Sequence, residues 1–417
     1  MKGWNRGAGR KMFFFARNAL VIICITLLLA EVALRALGLS RVVLYEPHAV
    51  TGWLGRPGAE GVYDDEGYAK IRISSAGVRD QERAIRKPAD VWRVAVLGDS
   101  YTDALQVAED ARFTAVMERL LTRCDAGRGR RVEVLNFGVS GFGTVQEYLL
   151  LKHHVLPYTP DLVVLAFLPG NDVVDNVRAL DASSSRPYAA LDERGELIWD
   201  NSFARSPSFR FKSGDFYRAL LRVSDYSRVM QAVFLARDIV RRHGKSPAGQ
   251  VASEPKVDDT LERGLSQRAH MPPSTTEWVH AWNVAERLIE EMSRLAIQQG
   301  ARFLLVTLSS GFQVLPEASS SAVVRTASRL HDPFYADDRL GAFAARKGME
   351  AIILARPLAE HARRSKVYLH GFTPRPRRLS LNMNVMGSGH WNEQGHRVAG
   401  ELIAGYLCRA DRVAATQ

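Results

Sequence analysis

Short polar blocks follow the predicted strands of this chain, and they contain the side chains best suited to catalysis. The first block is Gly98-Asp99-Ser100, which stands where an apolar strand passes into a helix. Such a turn presents a serine hydroxyl at the carboxyl edge of a parallel sheet, beside the unpaired N–H groups of the helix N-terminus. Those groups and the helix dipole can hold a developing oxyanion. Ser100 is therefore a candidate nucleophile, and a helix N-cap is the alternative interpretation.

Two more blocks supply candidate hydrogen-bond donors for the same oxyanion. Residues 136–141 (NFGVSG) follow the second strand, and Gly141 would let a backbone N–H come close to a substrate. Residues 169–172 (PGND) follow the third strand, and the side chain of Asn171 could donate a hydrogen bond. Each block taken alone is also typical of an ordinary turn.

A fourth block, residues 388–396 (SGHWNEQGH), precedes the last predicted helix. His390 could serve as the general base for Ser100. His396 is a second candidate base, but it follows Gly395 on the closing helix, so we expect it to pack or to cap the helix instead.

The acidic partner of His390 is the part of this arrangement that the sequence does not identify. No Asp or Glu occurs between Glu360 and Glu393, although a carboxylate normally fixes the tautomer of such a histidine and stabilises its charged form. Three possibilities stay open. A Ser–His dyad could operate, with a backbone carbonyl or Ser388 orienting the ring; a carboxylate distant in sequence could substitute; or the activity is weak.

Alternating strands and helices must position these four blocks. Apolar runs predict strands at residues 92–97, 132–137, 162–168, 302–308 and 349–354. Helical patterns occur at residues 113–123, 148–154, 277–299, 340–347 and 395–407. Continuous apolar strands that alternate with helices predict a parallel sheet covered on both faces, which is an α/β fold.

The order and content of the four blocks resemble those of the SGNH (GDSL-like) hydrolases. The motifs that carry the resemblance are GDSYTDALQV, NFGVSG, PGND and GHWNEQGH, over residues 92–407, and residues 51–79 look like the lead-in of membrane-anchored bacterial members. The resemblance implies a three-layer α/β/α sandwich, flavodoxin-like, with a parallel sheet of about five strands. It also implies that Ser100 is the nucleophile and His390 the base, with an oxyanion hole formed by the N–H groups of Ser100 and Gly141 and the side chain of Asn171.

The chain departs from the family pattern at two places. Pro169 stands two residues before Asn171, where members usually carry glycine. The acidic member of the triad usually lies two or three residues before the histidine, and here those positions hold Ser388 and Gly387. The second departure is the reason that the acidic partner stays open.

Nothing in the sequence calls for a cofactor. No dinucleotide fingerprint, P-loop or paired metal-ligand spacing occurs, so we expect neither a cofactor nor a metal. Asp99 and Asp172 stand beside the candidate site, and we expect them to brace their loops through hydrogen bonds rather than to bind a cation.

The N-terminus carries a membrane-targeting pattern, in which basic residues precede the apolar run 19–30 and the apolar character continues to residue 39. This pattern predicts a single-pass anchor in a bacterial inner membrane, with the N-terminus in the cytoplasm and the catalytic part in the periplasm or outside the cell. A cleaved signal peptide, with its site at residues 36–38, is the alternative.

The predicted organisation has three parts. Residues 1–40 form the basic tail and anchor, residues 41–90 a small extended lead-in module, and residues 91–417 the hydrolase domain. Residues 176–275 are expected to be an insertion with a basic helical stretch, which is either a lid or partner surface or a plain solvated face.

The net charge of +11 comes from Lys and Arg residues spread along the chain. Together with the absence of nucleic-acid-binding motifs, this favours a membrane surface or an acidic polymer over nucleic acid as partner. Cys124 and Cys408 could form a disulfide, but two buried thiols are the expectation by default.

The expected activity is that of a serine esterase acting through a Ser100 acyl-enzyme. Its expected substrates are acetyl or short-chain acyl esters of an envelope or extracellular glycan or lipid. One alternative is an O-acyltransferase, in which a hydroxyl of a surface polysaccharide replaces water. The other is a catalytically silent binding or assembly protein on the same fold.

Overall fold

Strands and helices alternate along most of the chain, which a computed structural model describes over residues 6–181, 183–244, 265–316, 332–374 and 385–415. The strands are β1 (Tyr45–His48), β2 (Gly52–Gly55), β3 (Glu60–Tyr63), β4 (Ala69–Arg72), β5 (Val91–Gly98), β6 (Arg131–Gly138), β7 (Leu162–Phe167), β8 (Tyr188–Leu191), β9 (Leu197–Asp200), β10 (Arg302–Thr307) and β11 (Glu350–Ile353). The α-helices are α1 (Arg6–Ala36), α2 (Ser100–Asp103), α3 (Phe113–Arg123), α4 (Thr144–Leu150), α5 (Pro169–Asp172), α6 (Pro207–Ser213), α7 (Asp215–Ser224), α8 (Arg228–Gly244), α9 (Thr276–Gln298), α10 (Tyr335–Arg346), α11 (Ala355–Ser365) and α12 (Glu393–Ala415).

Within the described residues, the central sheet has five parallel strands in the order β6-β5-β7-β10-β11. The chain order reverses between β5 and β7, and the edge of a parallel sheet at such a switch point is where ligand sites form. The register aligns Gly98 with Gly138 on one side and with Ala166 on the other. The residues that follow these three strands therefore meet at one edge of the sheet.

Apolar side chains cover both faces of this sheet because its strands are apolar at nearly every position. Ala95 and Leu97 of β5 belong to the cluster that packs against α4, α9 and α10. Val94 and Val96, on the opposite face, belong to the cluster that packs against α3, α11 and α12. Helices thus lie on both sides of the sheet, and the predicted three-layer α/β/α fold with its parallel five-stranded sheet is confirmed.

Three details differ from the predicted elements. The predicted helix at 148–154 begins earlier, as α4, and then continues as a π-helical turn, Leu151–Val155. The basic helical stretch of the insertion is two helices, α7 and α8, instead of one. The insertion also holds an antiparallel hairpin, β8–β9, that was not predicted. Residues 245–264 of the insertion lie outside the described residues.

The chain divides into two units, Met1–Val43 with Asp215–Ser246, and Leu44–Gly214 with Pro247–Gln417. In the first unit, α1 contains a stretch, Arg10–Ala36, that is long and apolar enough to cross a membrane. The second unit contains the central sheet and the antiparallel pairs β1–β2, β3–β4 and β8–β9. The boundaries expected at residues 40 and 90, and the extent of the insertion, stay predictions.

Cys124 and Cys408 are joined by a disulfide, with their Cα atoms 6.1 Å apart. Cys124 follows the last residue of α3 and Cys408 lies on α12, two helices that pack on the same face of the sheet. The expectation of two buried thiols is therefore wrong. Sequence spacing could not decide the point, because the two cysteines are 284 residues apart.

Candidate active site

Ser100 begins α2, separated from the end of β5 by Asp99 alone. The turn is tight, since a Cβ atom on Gly98 would overlap the hydroxyl of Thr102. Asp99 is the N-cap residue of α2, and its Oδ1 accepts a hydrogen bond from the backbone N–H of Tyr101 at 2.9 Å. The capping role is thus filled by Asp99, which leaves the half-buried Ser100 side chain at the carboxyl edge of the sheet.

His390 reaches Ser100 from a loop near the end of the chain. Its Nε2 lies 2.8 Å from Ser100 Oγ, although the two residues are 290 positions apart in sequence. This is the distance and the pair of atoms that a nucleophile and its general base require. The structure therefore brings together the two residues that the sequence singled out for these roles.

Glu66 lies on the far side of the His390 ring. Its Oε2 is 2.5 Å from Nδ1 of His390, and its Oε1 accepts a hydrogen bond from the His390 backbone N–H at 2.8 Å. The Glu66 side chain is 4% exposed and that of His390 is 22% exposed. The sequence left three possibilities open for the acidic partner of His390. In the structure, a carboxylate that is distant in sequence lies at this position.

Glu66 could not be identified from the sequence because it lies 324 positions before His390, in the turn between β3 and β4, outside the four motif blocks. The acidic run 64–66 resembles an ordinary solvated turn. A weak signal was present in the same segment, since Gly67 directly follows Glu66 and marks a sharp turn. Gly67 has a φ of +65°, and a Cβ atom there would overlap the carbonyl oxygen of Gln106.

A second glycine makes room for the carboxylate on the histidine side. Gly389 has a φ of +85°, and a Cβ atom there would overlap Oε1 of Glu66. An L-residue at this position would therefore strain the backbone and push against the carboxylate. The hydrogen bond from the His390 N–H to Glu66 can form because Gly389 has no side chain.

His370, which the sequence analysis did not single out, fixes the loop that carries His390. Its Nδ1 is 2.8 Å from the Gly389 carbonyl oxygen, so Nδ1 carries the proton, and Nε2 accepts from Ser309 Oγ at 3.0 Å. Ser309 in turn accepts from Trp391 Nε1 at 3.0 Å, and Tyr101 Oη donates to the Gly389 carbonyl at 3.0 Å. Burial lowers the pKa of His370 to about 4, which keeps this histidine neutral in its supporting position.

Two backbone N–H groups at the site lack a hydrogen-bond acceptor among the residues that the structure describes, those of Ser100 and Gly141. The Gly141 N–H belongs to the same planar peptide as the carbonyl of Ser140, which accepts a hydrogen bond from Trp53 Nε1 at 3.1 Å. Asp103 accepts from the N–H of Ser140 at 3.0 Å and from its hydroxyl at 2.7 Å. Trp53 and Asp103 therefore fix the direction of the Gly141 N–H.

Asn171, the third expected oxyanion donor, is buried at the start of the segment after β7. Its Nδ2 donates to Asp99 Oδ2 at 2.9 Å and to the carbonyl of Phe142 at 3.2 Å. Both amide hydrogens are thus engaged, and donation to an oxyanion would require one of them to be shared or redirected. Burial raises the pKa of Asp99 to about 6.

Two further carboxyl groups are buried behind Asp99. Asp172 Oδ2 accepts from the Leu168 N–H at 2.6 Å. Glu147, on α4, has no hydrogen-bond partner at either oxygen among the described residues. Burial, reinforced by neighbouring negative charge, raises the pKa of both groups well above the usual carboxyl range. Within the described ranges, no group of three or more His, Cys, Asp or Glu side chains is arranged to hold a metal ion.

Ser388 does not orient the His390 ring, and His396 packs in the core. Ser388 is buried, and Glu66 occupies the position beside His390 Nδ1 at which Ser388 was considered. His396 is fully buried on α12, its ring stacks on Phe113, and its Nδ1 accepts from the Phe113 N–H at 3.3 Å. His396 therefore packs in the core, as expected from its position on the closing helix, and its burial there lowers its pKa.

No protein-family model and no curated protein matches this chain. Among solved structures, the acetyl xylan esterase AlAXEase is 12% identical with a TM-score of 0.35, over 75% of this chain and 98% of its own. A catalytic mutant of an acetylxylan esterase from Geobacillus stearothermophilus is 12% identical with a TM-score of 0.35, over 75% and 94% of the two chains. A GDSL-like lipase from Bacteroides thetaiotaomicron is 12% identical with a TM-score of 0.33, over 79% and 93%. These likenesses are distant, so a functional proposal must rest on the geometry around Ser100.

Proposed function

We propose that this protein is a serine esterase in which Ser100 is the nucleophile, His390 the general base and Glu66 the acidic member of the triad. The single observation that carries the proposal is the continuous chain of hydrogen-bond distances from Glu66 through His390 to Ser100, 2.5 Å and 2.8 Å long. A buried carboxylate, an imidazole and a half-exposed hydroxyl in this order form the arrangement that activates a serine.

The order of proton transfers follows from which atoms face each other. A carboxylate only accepts hydrogen bonds, so Glu66 keeps the proton of the neutral His390 ring on Nδ1. Nε2 then carries no proton and can accept the one from Ser100. Nε2 takes the Ser100 proton as Oγ attacks the ester carbonyl, and Glu66 stabilises the imidazolium that forms. His390 then returns the proton to the departing alcohol, and a water molecule activated by Nε2 releases the acid from the acyl-enzyme.

The N–H groups of Ser100 and Gly141 are proposed to hold the oxyanion. Both are backbone donors whose directions are set by the fold, and such preorganised donors stabilise the charge that develops in the transition state. Asn171 is proposed as the third donor, through one of the two amide hydrogens that now contact Asp99 and Phe142.

The proposed substrates are acetyl or short-chain acyl esters on a glycan or lipid of the bacterial envelope, outside the cytoplasm. Two features support this location. The helix α1 contains a stretch with the length and composition of a membrane span, and basic residues precede its apolar run 19–30. The Cys124–Cys408 disulfide supports an oxidising compartment, because cytoplasmic thiols are kept reduced.

The position of Glu66 also affects the two alternative functions, a catalytically silent binding protein and an acyltransferase. The absence of an evident acidic partner was the reason to consider a catalytically silent binding protein, and the contact of Glu66 with His390 removes that reason. Acyl transfer to a sugar hydroxyl would use the same residues as hydrolysis. Incubating the purified chain with an acyl donor and an acceptor glycan, and comparing free acid with acylated glycan, separates the two reactions.

The proposal is tested on the full chain purified in detergent. The intact protein should hydrolyse p-nitrophenyl acetate and be labelled by a fluorophosphonate probe, and Ser100→Ala should lose both properties. The matched control is Ser365→Ala, which changes an exposed serine at the end of α11 and should retain both. Unchanged hydrolysis or labelling in Ser100→Ala would overturn the proposal.

A further inference from the structure

The helices α7 and α8 pack against each other through one face of each helix. Tyr217 and Leu221 of α7 form a buried cluster with Phe234 of α8. Tyr217, Leu221 and Ser224 follow the spacing of one helical face and are all buried. The rest of each helix surface faces away from this contact.

Large apolar side chains cover part of that outward surface. Phe216 and Val223 on α7 are 71% and 56% exposed, and Val233 and Val240 on α8 are 62% and 71% exposed. Each pair is separated by seven residues, so its members lie on the same side of their helix. Single exposed apolar residues are ordinary, but an aligned exposed pair on each of two helices that pack together is typical of helices that meet a partner or a membrane.

The anchor helix is joined to these helices at the first turn of α8. Glu31 of α1 accepts hydrogen bonds from the N–H groups of Arg228 and Val229, both at 3.0 Å, and from Ser227 Oγ at 3.2 Å. Arg35 donates to the Tyr226 carbonyl at 2.6 Å. A carboxylate from α1 thus satisfies the free N–H groups of the α8 N-terminus and complements its dipole.

This junction determines where α8 begins with respect to a bilayer. Glu31 and Arg35 lie in the last turns of α1, near the end of the segment Arg10–Ala36 that is long enough to span a membrane. Charged groups at the end of a span lie at the boundary between lipid and water. Where α1 crosses a bilayer, the first turn of α8 lies at that boundary as well.

The charge of the segment fits an anionic surface. Residues 215–246 contain seven Lys or Arg residues and three Asp residues. On α7, the exposed Arg218 and Arg222 lie on a different side of the helix from Phe216 and Val223. An apolar side combined with a basic side is the pattern of helices that lie in the interface of a membrane with anionic lipids.

We propose that α7 and α8 lie in the surface of the same bilayer that α1 crosses, with Phe216, Val223, Val233 and Val240 in the boundary between headgroups and acyl chains. The partner is an anionic lipid surface. The proposal goes beyond the esterase function and does not depend on it, because it concerns only residues of the unit that contains α1, α7 and α8.

The test uses the full chain in nanodiscs that contain phosphatidylcholine and phosphatidylglycerol. In a Cys24→Ala background, which removes the exposed free cysteine of α1, single cysteines are introduced as Val233→Cys and Val240→Cys and labelled with an environment-sensitive dye. Arg218→Cys, on the basic side of α7, is the matched control, and Leu28→Cys on α1 reports the span itself.

The proposal expects that doxyl-labelled lipids remove most of the emission at positions 233 and 240, and at position 28, but much less at position 218. Aqueous iodide should show the reverse order. The proposal is overturned if positions 233 and 240 are quenched by iodide as strongly as position 218, or if neither quencher reaches them, which would mean that another protein surface covers them. Absence of lipid quenching at position 28 would overturn it too, since α1 would then not cross the bilayer.

Discussion

Glu66 accepts two hydrogen bonds from His390, one from the backbone N–H at 2.8 Å and one from the ring Nδ1 at 2.5 Å. The backbone contact fixes the position of His390, and the ring contact fixes the orientation of its imidazole. A carboxylate that holds both groups determines the tautomer as well as the position of the base. Variants of Glu66 can therefore distinguish a role in fixing the tautomer of His390 from a role as a nearby negative charge.

Glu66→Gln should lower kcat by about 10³- to 10⁴-fold with little change in KM. The Gln carbonyl can still accept from the His390 backbone N–H, so its NH₂ group then faces Nδ1. That forces the ring proton onto Nε2, which faces Ser100 and can no longer accept its proton. The measurement is p-nitrophenyl acetate kinetics on the purified full chain.

Two companion variants make this result specific. Asp64→Asn changes the charge of the same turn two positions away and should keep near-normal kcat. Glu66→Asp keeps a carboxylate on a shorter side chain and should retain more activity than Glu66→Gln. If Glu66→Gln were as active as the unchanged protein, His390 would operate without an acidic partner.

Gly389→Ala should reduce kcat strongly, because its Cβ would overlap the Glu66 oxygen that accepts from the His390 N–H. Gly387→Ala is the matched control. Gly387 has a similar φ of +83°, but its Cβ would meet Tyr368 at 3.0 Å and Leu315 at 3.1 Å instead of Glu66. Both variants should lose about 1–2 kcal/mol of stability from the positive φ, and only Gly389→Ala should lose activity beyond what its folded fraction explains. Equal kcat in the two folded variants would show that the overlap with Glu66 has no catalytic effect.

Trp53→Phe tests the proposed oxyanion hole without altering a donor. The indole N–H fixes the Ser140–Gly141 peptide, and phenylalanine keeps a ring against Phe142, whose centroid is 5.6 Å away, while removing the N–H. Loss of one hydrogen bond is worth about 1 kcal/mol, which corresponds to about a fivefold lower kcat. Affinity for a boronate that mimics the tetrahedral intermediate should fall in parallel. A lower kcat with unchanged boronate affinity would contradict a role in holding the oxyanion.

Glu147→Gln should make the stability of the protein less dependent on pH. Burial raises the pKa of Glu147 in the folded protein, so the folded state keeps a proton that the unfolded state releases above its ordinary pKa of 4.5. The contribution of Glu147 to stability is then greatest below pH 4.5 and falls as the pH rises toward its folded pKa, by about 1.4 kcal/mol per pH unit. Glutamine, which cannot ionise, removes this loss, so the variant should unfold at higher urea concentration than the unchanged protein at pH 8.

Glu133→Gln should change the pH dependence of stability in the opposite direction in the same experiment. Glu133 forms ion pairs with Arg93 and Arg131, and its pKa is lowered even though burial alone would raise it. Its stabilising effect is present above pH 4.5 and fades as the pH falls through the lowered pKa. The variant should therefore be less stable than the unchanged protein at pH 8 and approach it in acid. If the stability of both variants relative to the unchanged protein varied with pH in the same direction, the assignment of these pKa shifts would be contradicted.

Reduction of the Cys124–Cys408 disulfide should destabilise the protein by up to about 5 kcal/mol, because the bond closes a very long loop in the unfolded chain. The paired variant Cys124→Ser with Cys408→Ser should show the same loss and should no longer respond to dithiothreitol. Urea unfolding with and without reductant measures both effects. Equal stability of the oxidised and reduced protein would mean that the bond does not constrain the chain.

The central sheet could be predicted because its strands are almost wholly apolar and are separated by helices with one apolar side. The predicted helix at 113–123 coincides with α3, and the predicted strands match β5, β6, β7, β10 and β11 to within two residues at each end. The meeting of Ser100 and His390 could be anticipated for a related reason, since Ser100 follows a regular strand, His390 precedes the last helix, and both lie in recognisable blocks.

Glu66 and the disulfide could not be predicted, because both are contacts between segments far apart in sequence. Apolar periodicity reports which face of an element is buried, but it carries no information on which distant turn approaches that face. The break between α7 and α8 at residues 225–227 was missed because Asp225 and Ser227 are compatible with a continuous helix, while the contacts of Glu31 with the start of α8 depend on tertiary structure.

The acidic member of the proposed triad lies upstream of the first strand of the central sheet, in the turn of a small hairpin. A recombinant fragment that starts at Val91 would keep the whole five-stranded core, the nucleophile and the histidine, and it would lack Glu66. Such a fragment could fold and still be nearly inactive, and its inactivity would be mistaken for evidence against the proposed esterase activity. The hairpin that looks like a spacer is thus an integral part of the proposed catalytic triad.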